Sequence, residues 1–175
     1  MTITVREAAA ALERRGTLRR TQEDHSAKII DRVRELLGCE LPPDLQEFYR
    51  ERIAYVNDFD AIFPHWNARV GWRPMATEVT ELAHVNAAPL FNDGCGNLFG
   101  LDLLSGNTAP AVYFFDHEVG FEKPEYAAGS ALGPFLLLLA QHDQALQEGR
   151  APGWELTLDP DIGKCPRAPP VWLAY

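Results

Sequence analysis

Two short stretches hold residue types that could do chemistry. Cys95 stands between two glycines in the run Asn92-Asp93-Gly94-Cys95-Gly96-Asn97, and Asp116, His117 and Glu118 follow one another further along. A cysteine nucleophile needs a nearby base and a lowered pKa. The strained turn that presents a nucleophile carries glycines two positions to either side of it. Here those positions are Asp93 and Asn97. The flanking glycines therefore point to a turn, and Cys95 reads as a structural turn residue. The triplet Asp116-His117-Glu118 suggests a metal or acid–base site. Along an extended chain, however, neighbours face opposite ways, so Asp116 and Glu118 share a face and His117 opposes them. A hydrolytic metal site needs three or four converging ligands, and no HExxH or CxxC motif supplies them. His117 reads as a structural histidine at a strand end. The loop from Asp93 to Asn97 lacks the alternating acids and terminal glutamate of a calcium loop. No GxGxxG, P-loop or Ser/His/Asp motif occurs. No catalytic residue, metal or cofactor is expected.

The elements that must position these residues follow from periodicity. Thr4 and Glu7 form a capping-box signature, Val5, Ala8, Ala9 and Leu12 follow at helical spacing, and Gly16 closes the helix. Thr21 with Asp24 predicts a second start of the same kind, with Ile29, Ile30, Val33, Leu36 and Leu37 on the apolar face and Gly38 at the end. Pro43 suits the first position of a third helix, with Leu45, Phe48 and Tyr49 pointing inward. Near Ile53 the texture changes to alternation. Residues 68–117 are expected to build a central antiparallel meander, in which Pro89–Phe91, Leu98–Leu104 and Ala111–Phe115 are strands. Gly133-Pro134 opens a long helix carrying Phe135, Leu138, Leu139, His142 and Leu146, ended by Gly149. A single domain is expected over residues 1–150. Residues 151–175, with five prolines, read as a tail packed on it through Trp154, Trp172 and Tyr175.

The chain has 175 residues and a formal net charge of −9. Residues 1–52 carry ten Lys/Arg and ten Asp/Glu, so the whole acidic excess lies beyond them. An acidic surface disfavours nucleic acid and attracts basic proteins. Three widely spaced cysteines suggest no disulfide framework. The longest apolar run, Phe135 to Ala140, is too short to cross a membrane. No signal peptide is read at the N-terminus, and the cytoplasm is the expected compartment.

The order of "LPPDLQEFYRE", "PLFNDGCGNLFGLDL", "AVYFFDHE" and the apolar "FLLLLA" helix, over about residues 25–148, resembles the SUKH superfamily, which includes bacterial immunity proteins and fungal cell-wall regulators. The glycine usual after the "LPPDLQEFYRE" helix is absent, and Ile53 to Asp58 stand in its place. The resemblance implies an α+β fold, a central antiparallel meander flanked by N-terminal helices and a C-terminal helix. It also implies a non-catalytic binding protein that neutralises a cognate toxin, such as a nuclease. The acidic excess suggests that this toxin is basic. Asp93, Asp116, Glu118, Glu122 and Glu125 are the expected partner contacts, with Trp66 as an aromatic anchor. Two alternatives stay open. One is a hydrolase using Cys95 with His117, or a metal held by Asp116, His117 and Glu118. The other is an intracellular regulatory scaffold. The toxin's identity and the oligomeric state are not legible in the sequence.

Overall fold

Helix α1, Val5–Arg15, starts on a reciprocal cap. The Thr4 hydroxyl accepts from the Glu7 N–H at 3.2 Å, and the Glu7 carboxylate accepts from the Thr4 N–H at 2.9 Å. Gly16 ends the helix at φ 73°, and Val5, Ala8, Ala9 and Leu12 are buried as their spacing predicts. The computed structural model describes residues 3–62, 81–104 and 110–170.

The second start differs from expectation. Leu18–Arg20 form strand β1 and pair with β2, Ile53–Val56. The Thr21 N–H is drawn to the Arg52 carbonyl at 3.0 Å. That pairing moves the start of helix α2 to Ser26, and α2 then runs to Leu37. Asp24 instead accepts from the Ser26 N–H at 2.9 Å in a local turn. Helix α3, Pro43–Arg50, begins at its proline and buries Leu45, Phe48 and Tyr49. Arg52 follows it in the left-handed conformation, φ 54°, where a glycine would be the ordinary choice.

Among the described residues seven strands form one antiparallel sheet in sequential order: β1, β2, β3 (Phe59–Ala61), β4 (Ala87–Asn92), β5 (Leu98–Asp102), β6 (Val112–Phe115) and β7 (Tyr126–Gly129). The sheet is wider than the expected span of 68–117, because β1 to β3 precede that span and β7 follows it. These strands are only three or four residues long, too short for alternation to stand out in sequence. Strand β5 is buried at every position, the charged Asp102 included, so it is covered on both faces. Pro89 lies within central strand β4, next to a register shift between Pro89 and Phe91. A bulge is the place where a missing N–H is tolerated.

One face of the sheet carries the helices. Phe91 packs edge-on to Phe48 of α3 at 5.5 Å, and Phe99 lies 5.2 Å from Phe135 of helix α4, Leu132–Leu139. Each such buried aromatic contributes about 1.5–3 kcal/mol. Gly133 lets α4 approach α1, since a side chain there would run into the Ile3 carbonyl. The single long C-terminal helix expected from spacing is in fact two. Helix α5, His142–Glu148, follows α4 after a break at Ala140 and Gln141. The Asn57 side chain donates to the Ala140 carbonyl at 2.7 Å, which occupies the acceptor at the end of α4. The break re-aims the second half, leaving Leu146 62% exposed.

The other face meets Arg167, from the segment after α5. Arg167 lies over the Tyr113 ring at 5.6 Å and donates to the Val85 carbonyl at 3.1 Å and to buried Asp102 at 3.3 Å. Asp159, 1% exposed, accepts from the backbone and hydroxyl of Ser130 at 2.6 and 2.5 Å. Pro170 bridges to Ala127 of β7. Trp154 packs partly buried against the core, while Trp172 and Tyr175 lie outside the described residues.

Candidate functional site: the acidic turns at one end of the sheet

The register decides which turns are neighbours. Asp60 pairs with Asn92 and Leu98 with Phe115. The β2–β3, β4–β5 and β6–β7 connections therefore leave the same end of the sheet. This brings together Asp58, Asp93, Asp116 and Glu118, residues spread over about a third of the sequence.

The β4–β5 turn is held by its own acid. Asp93 Oδ1 accepts from the Cys95 N–H at 2.8 Å and the Asn97 N–H at 3.1 Å, and its Oδ2 accepts from Asn97 Nδ2 at 2.7 Å. Gly94 and Gly96 take φ 74° and 105°, conformations that cost other residues about 1–2 kcal/mol. Gly96 has a second reason to lack a side chain, because a Cβ there would press on the His117 ring at 3.2 Å. Cys95 is exposed at the tip. The turn geometry accounts for both glycines without a nucleophile.

The β6–β7 connection is tied to that turn through one amide. Asn97 Oδ1 accepts from the His117 N–H at 3.1 Å and lies 2.8 Å from His117 Nδ1. Residues 116–118 are past the end of β6 and form a turn, in which Asp116 accepts from the Glu118 N–H at 2.8 Å. The alternating-face argument for this triplet does not hold, because the chain is no longer extended there. His117 is turned toward Asn97, with Asp116 Oδ1 3.9 Å away. Among the described residues no group of three or more His, Cys, Asp and Glu is placed to hold a metal ion.

In the turn and beyond it, Glu118, Glu122 and Glu125 are exposed. Glu122 faces Glu81 and His84 across an open cleft of about 280 Å³ that Gly120 and Phe121 complete. The expected contacts thus divide by role. Asp93 and Asp116 hold turns with their carboxylates, whereas Glu118, Glu122 and Glu125 present theirs outward. Trp66 lies outside the described residues. Two residues escaped sequence reasoning. Exposed Asp58 joins this end only through the β3–β4 pairing. Val119, 61% exposed between Glu118 and Gly120, is an apolar tip within the acidic turn. Its signal was a β-branched residue directly followed by glycine after a polar triplet.

No described helix is long and apolar enough to cross a membrane. Neither curated proteins nor solved structures yield a significant match. One family model does match, over residues 25–131, from just before α2 to just beyond β7. That span is more than half of the chain and contains both turns, their glycines and the Asn97–His117 tie. The chain belongs to the SMI1 / KNR4 family, SUKH-1, a membership consistent with an immunity-protein role.

Proposed function

We propose that this is a cytoplasmic, non-catalytic immunity protein that binds a basic protein toxin and blocks its active site or substrate groove. The family match carries this reading, and the convergence of acidic turns at one sheet end supports it. Glu118, Glu122 and Glu125 form the charged part of the docking face, where they steer a basic partner into place. Exposed ion pairs contribute only about 0–1 kcal/mol each, so charge sets the speed of encounter more than the final affinity. Apolar contacts supply the lasting part, from Val119 at the turn tip and from Trp66. Loops at the end of a rigid sheet suit such a role, because they vary without disturbing the core.

The experiment is co-expression with the product of the adjacent gene. The expected result is rescue of growth from that product's toxicity and recovery of a stable complex of the two proteins. Toxicity that persists undiminished, with no complex recovered, would remove the immunity reading for that pair. A partner-free function in the same assay would return the protein to the regulatory scaffold class.

A further inference from the structure

Strand β7 ends the sheet, so its outer edge carries backbone groups with no neighbouring strand to pair them. The C-terminal segment takes them up instead. The Ala127 N–H donates to the Pro169 carbonyl at 2.9 Å, the Cys165 thiol lies 3.9 Å from the Gly129 carbonyl, and the Ser130 N–H donates to Asp159 at 2.6 Å. The edge needs such cover. Tyr126-Ala127-Ala128-Gly129 carries no charge, and an open, uncharged edge is a template for pairing with another chain. Strand β1, at the other side of the sheet, is only three residues long and carries exposed Arg19, and shortness and charge discourage pairing by themselves.

The covering segment stops the ladder rather than extending it. Pro166, Pro169 and Pro170 have no N–H to offer a further strand, and Pro166 and Pro169 are exposed. One residue fastens the segment across the sheet. The Arg167 guanidinium donates to the Val85 carbonyl and to buried Asp102, and the Arg167 N–H donates to the Tyr113 hydroxyl at 3.1 Å. These contacts hold Pro169 two residues further on, where its carbonyl meets Ala127.

We propose that residues 165–170 are an edge guard with Arg167 as its latch. Closed, the guard keeps the chain apart from its own copies. Open, it frees β7 to pair antiparallel with β7 of a second copy. Two copies present the same edge, so a two-fold axis makes this pairing self-complementary. The guard goes beyond the toxin-binding reading and does not rest on it, since it uses none of the exposed acids of the turns.

The test follows amide hydrogen exchange by NMR and mass by analytical ultracentrifugation on the full chain. Replacing Arg167 alone would leave the buried Asp102 carboxylate without its cation, so the variant combines Asp102→Asn with Arg167→Gln. In dilute solution its Ala127 amide is expected to exchange at least about tenfold faster than in the unaltered chain, with the amides of β5 unchanged. As concentration rises, its mass should move toward a dimer and protection at Ala127 should return. The unaltered chain should keep Ala127 protected throughout. If the variant fails to fold, the unaltered chain in urea below its unfolding transition decides. There the Ala127 and Arg167 amides should exchange together, ahead of β5, and regain protection at high protein concentration. The proposal is overturned if Ala127 exchanges no faster than β5, which would make the segment part of the core. It is equally overturned if Ala127 opens and the chain stays monomeric, or if a dimer forms while Ala127 remains unprotected.

Discussion

Asp93 and Cys95 sit two residues apart in one turn, yet the structure gives them unequal weight. Asp93 satisfies three donors, and its removal would leave them to compete for water. Asp93→Ala is expected to lower stability by about 1–3 kcal/mol, measured by urea denaturation. Cys95→Ser should leave both melting temperature and toxin neutralisation unchanged. A Cys95→Ser protein that melts normally but no longer neutralises would bring back the nucleophile reading. A buried hydroxyl and a half-buried thiol on the far side of the sheet set a pH limit. Burial pushes the Tyr113 hydroxyl up to about 12 and the Cys165 thiol up to about 11, from ordinary values of 10.0 and 9.0. Both are raised in the fold, so the native state holds protons that the unfolded chain has released. Their contribution is complete below about pH 9 and is lost as pH rises through about 11 and 12. The urea midpoint should therefore fall across that alkaline window. Tyr113→Phe should flatten its upper part, at the cost of the bond that the Arg167 N–H donates to the Tyr113 hydroxyl at 3.1 Å.

Among the elements, the junction of α4 and α5 shows how one side chain redirects a helix. Asn57, in the β2–β3 turn at φ 50°, reaches the Ala140 carbonyl. Asn57→Ala loses that hydrogen bond and also strains the left-handed position, about 1 kcal/mol for each. Asn57→Gly loses only the bond. The glycine variant is expected to be the more stable of the two by thermal melting, and the reverse order would show that the left-handed turn is not what Asn57 maintains. Helix starts and stops were legible where local chemistry stood alone, as in the Thr4–Glu7 cap, Pro43 at the start of α3 and the αL glycines at 16, 38 and 149. They misled where a distant partner competed. Thr21 and Asp24 have the residue types of a cap, but β1 pairs with β2 and holds Thr21 to the sheet. The spacing of His142 and Leu146 continues that of Leu138 and Leu139, but Asn57 interrupts it from 83 residues away.

For the whole molecule, the acidic excess of the chain beyond residue 52 becomes a directed feature through the sheet's register. Raising ionic strength from about 0.05 to about 0.5 M shortens the screening length to a few ångströms. Association with a basic toxin is then expected to slow by about tenfold. Glu118→Lys with Glu122→Lys should slow association more than it speeds dissociation, because steering acts on encounter. A rate indifferent to both salt and these reversals would remove this end of the sheet as the docking face and leave a hydrophobic mode of immunity binding standing. Composition, periodicity and turn chemistry by themselves determined the α+β class, the antiparallel meander, most inward-facing residues and the turn role of Gly94 to Asn97. These depend on interactions within a few residues, which a linear text displays. Only the tertiary structure decided that β1 to β3 extend the sheet, that Asp58 stands at the same end as Asp116, that Arg167 pairs with Asp102, and that Asp159 is buried against Ser130. Each of these joins residues far apart in the chain, and its energy exists only once the intervening segments have folded and excluded water from between them.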